Sequence, residues 1–223
     1  MALISIIAAI GATLFAIVLL AQAPPAPTDT TDNALRTPAT ARPVGLMLDG
    51  RALGSPDAPV VVELWEDFQC PACSRFTQLV EPSVVERFVP SGDVRVVFRD
   101  FAFLGTESID AAVAARCAGE QDAFWSYHDW LYANQNGENV GWLSQTRLAA
   151  IATRLQLDRT PFDDCVARSD VRGDVASETA AGRALGVGST PTIMVNGVPF
   201  NGSTYDDLMT TIQSAIDTAS RTP

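Results

Sequence analysis

Two cysteines separated by two residues, Cys70 and Cys73, are the side chains best placed to do chemistry. They follow an apolar, β-branched run at residues 60–65, which predicts a buried strand, and Pro71 suits the first position of a helix. Free backbone N–H groups and the helix dipole stabilise a thiolate at a helix N-terminus. We therefore expect Cys70 to be an exposed nucleophile of low pKa. Cys73, one turn inward, is expected to resolve the mixed disulfides that Cys70 forms.

A structural disulfide and half of a zinc site are the alternatives for this pair. A zinc site needs about four ligands, but the sequence has no second cysteine pair of this spacing and a single histidine, His128. A disulfide over so short a span inside a helix would be strained and would close almost no loop. A redox-active dithiol is therefore favoured, with no metal and no cofactor. His128 stands among aromatic residues and is expected to cap the core.

Strands and helices that would position the dithiol follow from the hydrophobic pattern. Strands are predicted at residues 45–48, 60–65, 94–98 and 192–195, and Asn196-Gly197 predicts a hairpin turn. Helices are predicted from Pro71 with a break at Glu81-Pro82, through a helical block at about 108–185, and at about 205–219. Strands joined by a crossover helix should be parallel. The fold class is therefore α/β, a mixed central sheet flanked by helices with an inserted helical domain.

Three segments resemble the DsbA-like thiol–disulfide oxidoreductases of the thioredoxin fold. They are EDFQCPAC (66–73), AFWSYHDWLYANQ (123–135) and GVGSTPTIMVNG (186–197). The similarity runs in order over about residues 50–220 and is closest to membrane-anchored members such as BdbD. It implies a cis-proline loop in which Thr190 and Pro191 lie beside Cys70, and a Thr190 backbone that pairs with substrate as an added strand.

The sequence departs from this family in two places. Ala72 stands between the cysteines where the best-known strong oxidants have histidine, which predicts a weaker oxidant. The segment RDFAF (99–103) lacks a proline that often follows the phenylalanine in relatives, a change expected to affect only a loop.

Three acids precede the dithiol, and in related proteins a buried acid relays a proton for the inner cysteine. Glu63 is the preferred candidate because it lies within the apolar strand, whereas Glu66 and Asp67 are expected at a solvated strand end. The remaining cysteines, Cys117 and Cys165, are either free core residues or a structural disulfide. The disulfide is favoured by the oxidising compartment expected here and by a similar pair in relatives.

The N-terminal part divides into two segments before the folded domain. Residues 1–23 contain an uncharged run at 2–21 that is long enough to span a membrane, and we expect an uncleaved anchor, although a signal segment is the alternative. Residues 24–43 are rich in Pro, Thr and Ala and predict a tether. The DsbA-like domain should occupy residues 44–223.

The net charge of −11 opposes binding to nucleic acid phosphates. The resemblance implies an extracytoplasmic, membrane-anchored oxidase that donates its disulfide to reduced exported proteins. A quinone-linked membrane partner, DsbB- or VKOR-like, would re-oxidise it. A monomer is expected because no dimerisation domain is visible. A reductase or isomerase of the same fold, and a redox-inert chaperone or copper-handling module, are the competing interpretations.

Overall fold

A computed structural model describes residues 35–39, 42 and 45–221, so the predicted anchor at 2–21 lies outside the described residues. The strands are β1 (Leu48–Asp49), β2 (Ala52–Leu53), β3 (Val60–Glu66), β4 (Val94–Asp100), β5 (Thr192–Val195) and β6 (Val198–Pro199). The helices are α1 (Pro71–Leu79), α2 (Glu81–Phe88), α3 (Thr106–Gly119), α4 (Phe124–Ala133), α5 (Gln145–Arg154), α6 (Arg159–Val166), α7 (Ser169–Ala184) and α8 (Tyr205–Ala219). Helices α3–α7 form the insertion predicted between β4 and β5.

These strands form one mixed sheet in the order β1-β2-β4-β3-β5-β6. β3 and β4 are parallel, and β5 pairs antiparallel with both β3 and β6, which confirms the predicted fold class. The predicted first strand at 45–48 is wrong in extent. Only Leu48 of that range is in a strand, because the partner strand β2 has 2 residues and pairs with Leu48 and Asp49 alone, in a hairpin that turns at Gly50.

Side chains of β3 alternate between the two faces of the sheet. Val62 and Leu64 lie in the main core, which also contains Cys73. The side chain of Trp65 lies on the opposite face, in a small cluster with Phe101, Val187 and Met194. This alternation decides which acids of β3 can reach the dithiol.

Gly182 allows α7 to lie directly on the Trp65 face of the sheet. A Cβ at this position would stand 2.7 Å from the Trp65 ring and 2.9 Å from the Phe101 ring. Real Cβ atoms essentially never come this close to other atoms. The absence of a side chain at Gly182 therefore allows α7 of the insertion to pack this closely on the sheet.

A disulfide joins two helices of the insertion. Cys117 of α3 and Cys165 of α6 are bonded at an S–S distance of 2.04 Å, and both are buried. The bond spans 48 positions of sequence. It cross-links the insertion internally and leaves Cys70 and Cys73 as free thiols.

Part of the segment predicted as a tether packs on the domain. The Arg36 backbone N–H donates to Asn134 Oδ1 at 2.6 Å, and Asn134 Nδ2 donates to the Arg36 carbonyl at 2.8 Å. Arg42 forms ion pairs with Glu81 and Asp129. Arg36 and Arg42, which fall within the segment predicted as a tether, are therefore held on the domain by Asn134 after α4 and by acids of α2 and α4.

Candidate dithiol active site

The Cys70 side chain caps the N-terminus of α1. Cys70 is the N-cap residue, Pro71 occupies the first turn, and the Cys73 backbone N–H donates to Cys70 Sγ at 3.4 Å. The predicted start of the helix is confirmed. The Cys70 sulfur therefore lies where unpaired backbone N–H groups concentrate positive potential.

The two thiols have opposite acidities. A hydrogen bond from the Cys73 thiol lowers the pKa of Cys70 to about 6, against the effect of partial burial, and backbone N–H groups of Cys73 and Ala72 add to this effect. Burial raises the pKa of Cys73 far above its usual value, and the hydrogen bond to Cys70 and the charge of Glu66 act in the same direction. At neutral pH the pair therefore holds one thiolate, on Cys70, and one proton, on Cys73.

Cys70 is less exposed than the sequence predicted. Its exposed fraction is 6%, whereas that of Cys73 is 0%. The loop before β5 covers it, and Cys70 Sγ lies 3.3 Å from the Thr190 carbonyl oxygen, which can accept a hydrogen bond from the protonated thiol. The Thr190–Pro191 peptide bond is cis. Cys70 is therefore the more accessible of the two cysteines, and the Thr190 loop lies beside its sulfur.

Glu66, not Glu63, lies on the dithiol side of the sheet. Glu63 projects to the opposite face, where it pairs with Arg99 at 2.7 Å. Glu66 is 1% exposed, and its Oε2 accepts a hydrogen bond from Tyr132 Oη at 3.0 Å. Burial raises the pKa of Glu66, although the nearby His128 ring and the hydrogen bond from Tyr132 oppose this shift. The choice of Glu63 as proton relay is wrong in this geometry, since the alternation of β3 turns it away from Cys73.

Asp67 is also buried rather than solvated, because its carboxylate ties together the backbone around the site. Oδ1 accepts hydrogen bonds from Gln69 N at 2.8 Å and from the Ser108 hydroxyl at 2.6 Å. Oδ2 accepts from the backbone N–H groups of Phe103 and Leu104 at 2.9 and 3.0 Å. One side chain thus fixes the turn before Cys70 against the start of the insertion.

A second part of the insertion, the segment after α4, also fixes the loop that carries Cys70. Gln135 Nε2 donates to the carbonyl oxygens of Phe68 and Cys70, each at 3.0 Å. The backbone N–H of Asn139 donates to Gln69 Oε1 at 2.6 Å. Sequence reasoning missed Gln135, although it falls within the segment 123–135 that carries the family resemblance.

His128 is buried as predicted, but it is more than a core cap. Its Nδ1 lies 2.9 Å from Asp129 Oδ1, and its Nε2 lies 3.8 Å from Glu66 Oε2 and 3.9 Å from Glu81 Oε2. Burial favours the neutral ring, yet the hydrogen bond to Asp129 and the nearby carboxylates of Glu66 and Glu81 raise the pKa of His128 to about 9. It is therefore a buried cation among acids.

Neither a membrane span nor a metal site is found within residues 35–39, 42 and 45–221. No helix there is long and apolar enough to cross a bilayer. In the same part of the chain, no group of three or more His, Cys, Asp or Glu side chains has a geometry that could hold a metal ion.

The fold and the dithiol define a thiol–disulfide oxidoreductase of the DsbA-like class. The chain belongs to the thioredoxin family, whose family model matches residues 47–214. It is 30% identical over 151 residues to the probable disulfide bond formation protein D of Bacillus cereus, a match that covers 66% of this chain and 70% of that protein.

Solved structures show the same fold. The oxidised BdbD structure from Bacillus subtilis superposes with a TM-score of 0.70 at 24% identity and covers 82% of this chain and 100% of that chain. The alpha-DsbA1 structure from Wolbachia pipientis superposes with a TM-score of 0.68 at 18% identity, covering 86% of this chain and 98% of that chain.

Proposed function

We propose that this oxidoreductase works as an oxidase, in which the Cys70–Cys73 disulfide accepts two electrons from reduced exported proteins. The opposed acidities of Cys70 and Cys73 carry the proposal. A stabilised thiolate makes the reduced form more stable, and a disulfide whose reduced form is stabilised is oxidising.

The reaction balances in two exchange steps. A substrate thiolate attacks Cys70 Sγ of the oxidised pair, the Cys70–Cys73 bond breaks, and Cys73 leaves as a thiolate that takes up a proton. A second substrate thiolate then attacks the substrate sulfur of the mixed disulfide, and Cys70 leaves as a thiolate. The substrate gains a disulfide and the enzyme becomes the dithiol.

The dithiol must return two electrons to an acceptor before the next cycle. A quinone-linked membrane partner, DsbB- or VKOR-like, accepts these two electrons and re-forms the Cys70–Cys73 disulfide. The Thr190 backbone beside Cys70 suits pairing with an extended segment of either the substrate or this partner. Two relatives are named as disulfide bond formation proteins, and these names support electron flow from substrate thiols to the enzyme.

The enzyme acts outside the cytoplasm as a membrane-anchored monomer. The buried disulfide between Cys117 and Cys165 supports an oxidising compartment. The apolar run at 2–21 serves as the anchor, and fractionation of the full chain with membranes would reveal it.

Glu66 is the acid that exchanges the proton with Cys73. Its charge acts on Cys73, it is buried, and its raised pKa allows it to donate when Cys73 leaves and to accept when Cys73 attacks. Tyr132 holds the carboxyl in place through the bond to Oε2.

We expect Glu66→Gln to slow the Cys73-dependent steps by about 10²-fold, because general acid–base catalysis contributes at least that much. Glutamine keeps an oxygen for the Tyr132 hydrogen bond but cannot exchange a proton. Stopped-flow Trp fluorescence with a reduced cysteine peptide, from pH 5 to pH 9, measures the rate. Glu63→Gln is the matched control on the opposite face of β3 and should leave the profile unchanged. Equal profiles for the two variants would remove Glu66 from the mechanism.

The reduction potential tests the oxidase assignment. We expect a value between those of thioredoxin, about −270 mV, and DsbA, about −120 mV, because Ala72 contributes neither a hydrogen-bond donor nor a charge to the thiolate. Equilibration with glutathione followed by Trp fluorescence measures it, and Ala72→His should raise it. A potential at or below that of thioredoxin, together with insulin reduction faster than refolding of a reduced substrate, would identify a reductase instead.

A further inference from the structure

Arg42 lies before the first strand, yet its guanidinium is held by acids of two helices, Glu81 of α2 and Asp129 of α4. Arg42 Nε and Nη2 contact the two carboxylate oxygens of Asp129 at 2.9 and 2.6 Å, in a two-pronged ion pair. Nη1 contacts Glu81 Oε1 at 2.7 Å. The guanidinium also lies 4.4 Å from the centre of the Trp125 ring. These contacts use the planar, multi-donor geometry that only arginine offers.

From Arg42, a series of neighbouring charged groups leads towards the dithiol. Glu81 and Asp129, which bind Arg42, both lie within 4 Å of His128, and Arg42 Nη2 is itself 3.2 Å from His128 Nδ1. His128 Nε2 in turn lies 3.8 Å from Glu66 Oε2. Glu66 is the acid whose charge acts on Cys73.

The charges in this cluster depend on one another. The groups that face His128 or Glu66 come from every element packed around them: Arg42 from the leading segment, Glu66 from β3, Cys73 from α1, Glu81 from α2, and His128, Asp129 and Tyr132 from α4. Three carboxylates, on Glu66, Glu81 and Asp129, face two cationic groups, on Arg42 and His128. Without Arg42, His128 would face three acids alone, and buried acids without a cation hold their protons.

We propose that Arg42 is a positioning residue for the dithiol reaction and that it acts through Glu81, Asp129 and His128 to set the charge of Glu66. The proposal rests on the proton-exchange role given above to Glu66. Arg42 thereby makes the segment that leads into the domain part of the redox machinery, although it touches neither cysteine.

The sign of the effect follows from the charges. A nearby cation favours the ionised form of an acid, so removal of Arg42 raises the pH at which the acids of the cluster ionise. Arg42→Met should therefore shift the midpoint of the Cys73-dependent rate upward by about one pH unit. Because Glu66 donates its proton when Cys73 leaves, this shift is about a tenfold gain of rate at a pH above the midpoint. Arg42→Lys keeps the charge and should recover most of the profile.

A double-mutant comparison separates this role from a merely structural one. In the Glu66→Gln background, Arg42→Met should no longer move the pH profile, because the group it acts on cannot titrate. Arg36→Met is the matched control, since Arg36 binds Asn134 through its backbone and the same substitution keeps those bonds. Chemical unfolding of each variant identifies any that fails to fold, in which case Arg42→Lys and Arg42→Gln carry the comparison.

The same stopped-flow assay with a reduced cysteine peptide decides the outcome. A shift for Arg42→Met that Arg36→Met lacks, and that disappears with Glu66→Gln, supports the proposal. If Arg42→Met has the same pH profile as the wild type, the proposal for Arg42 is overturned. The oxidoreductase assignment still stands in that case, because the wild type exchanges disulfides. A shift that persists in the Glu66→Gln background also overturns the proposal for Arg42, because Arg42 would then act by another route. No exchange by the wild type would instead contradict the proposed function.

Discussion

Cys73→Ser should accumulate mixed disulfides with substrate proteins through Cys70, and Cys70→Ser should form none. Cys70 is the thiol with a pKa of about 6 and the one with measurable exposure. It can therefore attack or be attacked, while Cys73 is fully buried and protonated. Loss of Cys73 removes the group that resolves the adduct, so turnover should fall to background while adducts persist.

Non-reducing electrophoresis followed by mass spectrometry of the adducts measures this result. The pH dependence gives a second check, because the thiolate fraction of Cys70 should fall about tenfold for each pH unit below its pKa of about 6. Adduct formation by Cys73→Ser should decline in a similar range, because the serine hydroxyl can donate a hydrogen bond to Cys70 Sγ in place of the Cys73 thiol. Adducts that form through Cys73 in Cys70→Ser would reverse the assigned roles.

Removal of the disulfide between Cys117 and Cys165 should strongly destabilise the protein without abolishing its chemistry. In the chain-entropy model, a bond that spans 48 positions contributes about 4 kcal/mol to the free energy of unfolding. For a domain of this size, the loss corresponds to a Tm lower by about 10 °C. Replacement of both cysteines by alanine, followed by thermal and urea unfolding, measures the effect.

The single-turnover rate of the dithiol provides the control for this variant. Cys117 and Cys165 lie in α3 and α6 and are bonded to each other, and Cys70 and Cys73 lie at the start of α1, so the rate should stay within about twofold of the wild-type value. Peptide mapping of freshly prepared, non-reduced protein tests the bond itself. Alkylation of both cysteines in that sample, or an unchanged free energy of unfolding, would contradict the prediction.

Local sequence rules predicted the dithiol because its geometry is local. Cys70 and Cys73 lie on one helical turn, and the strand, proline and helix that position them follow each other along the chain. The parallel pairing of β3 with β4 and the hairpin after β5 likewise follow from short-range connection rules.

The burial and roles of the acids near the dithiol do not follow from local sequence rules, because their partners are distant in sequence. The apolar neighbours of Glu63 favour it as the proton relay in the sequence. The period of two along β3, however, places Glu66 and not Glu63 on the side of the main core. Tyr132, which binds Glu66, comes 66 positions later in the insertion. Asp67 is buried for the same reason, since Ser108 and the loop after β4 supply its donors. Long-range hydrogen bonds of this kind leave no periodic signal.

The short outer strands of the sheet affect how this protein meets incompletely folded chains. An enzyme that exchanges disulfides with such chains is exposed to segments that can add to any open sheet edge and start aggregation. In the described part of the chain, the edge strands β1 and β6 each span 2 residues, and Pro199 in β6 lacks a backbone N–H. Each edge of the sheet therefore has few free backbone N–H and C=O groups with which an unfolded segment could pair. On the proposed function, extended chains would engage the loop beside Cys70 and find little edge elsewhere on the described sheet at which to start an intermolecular sheet.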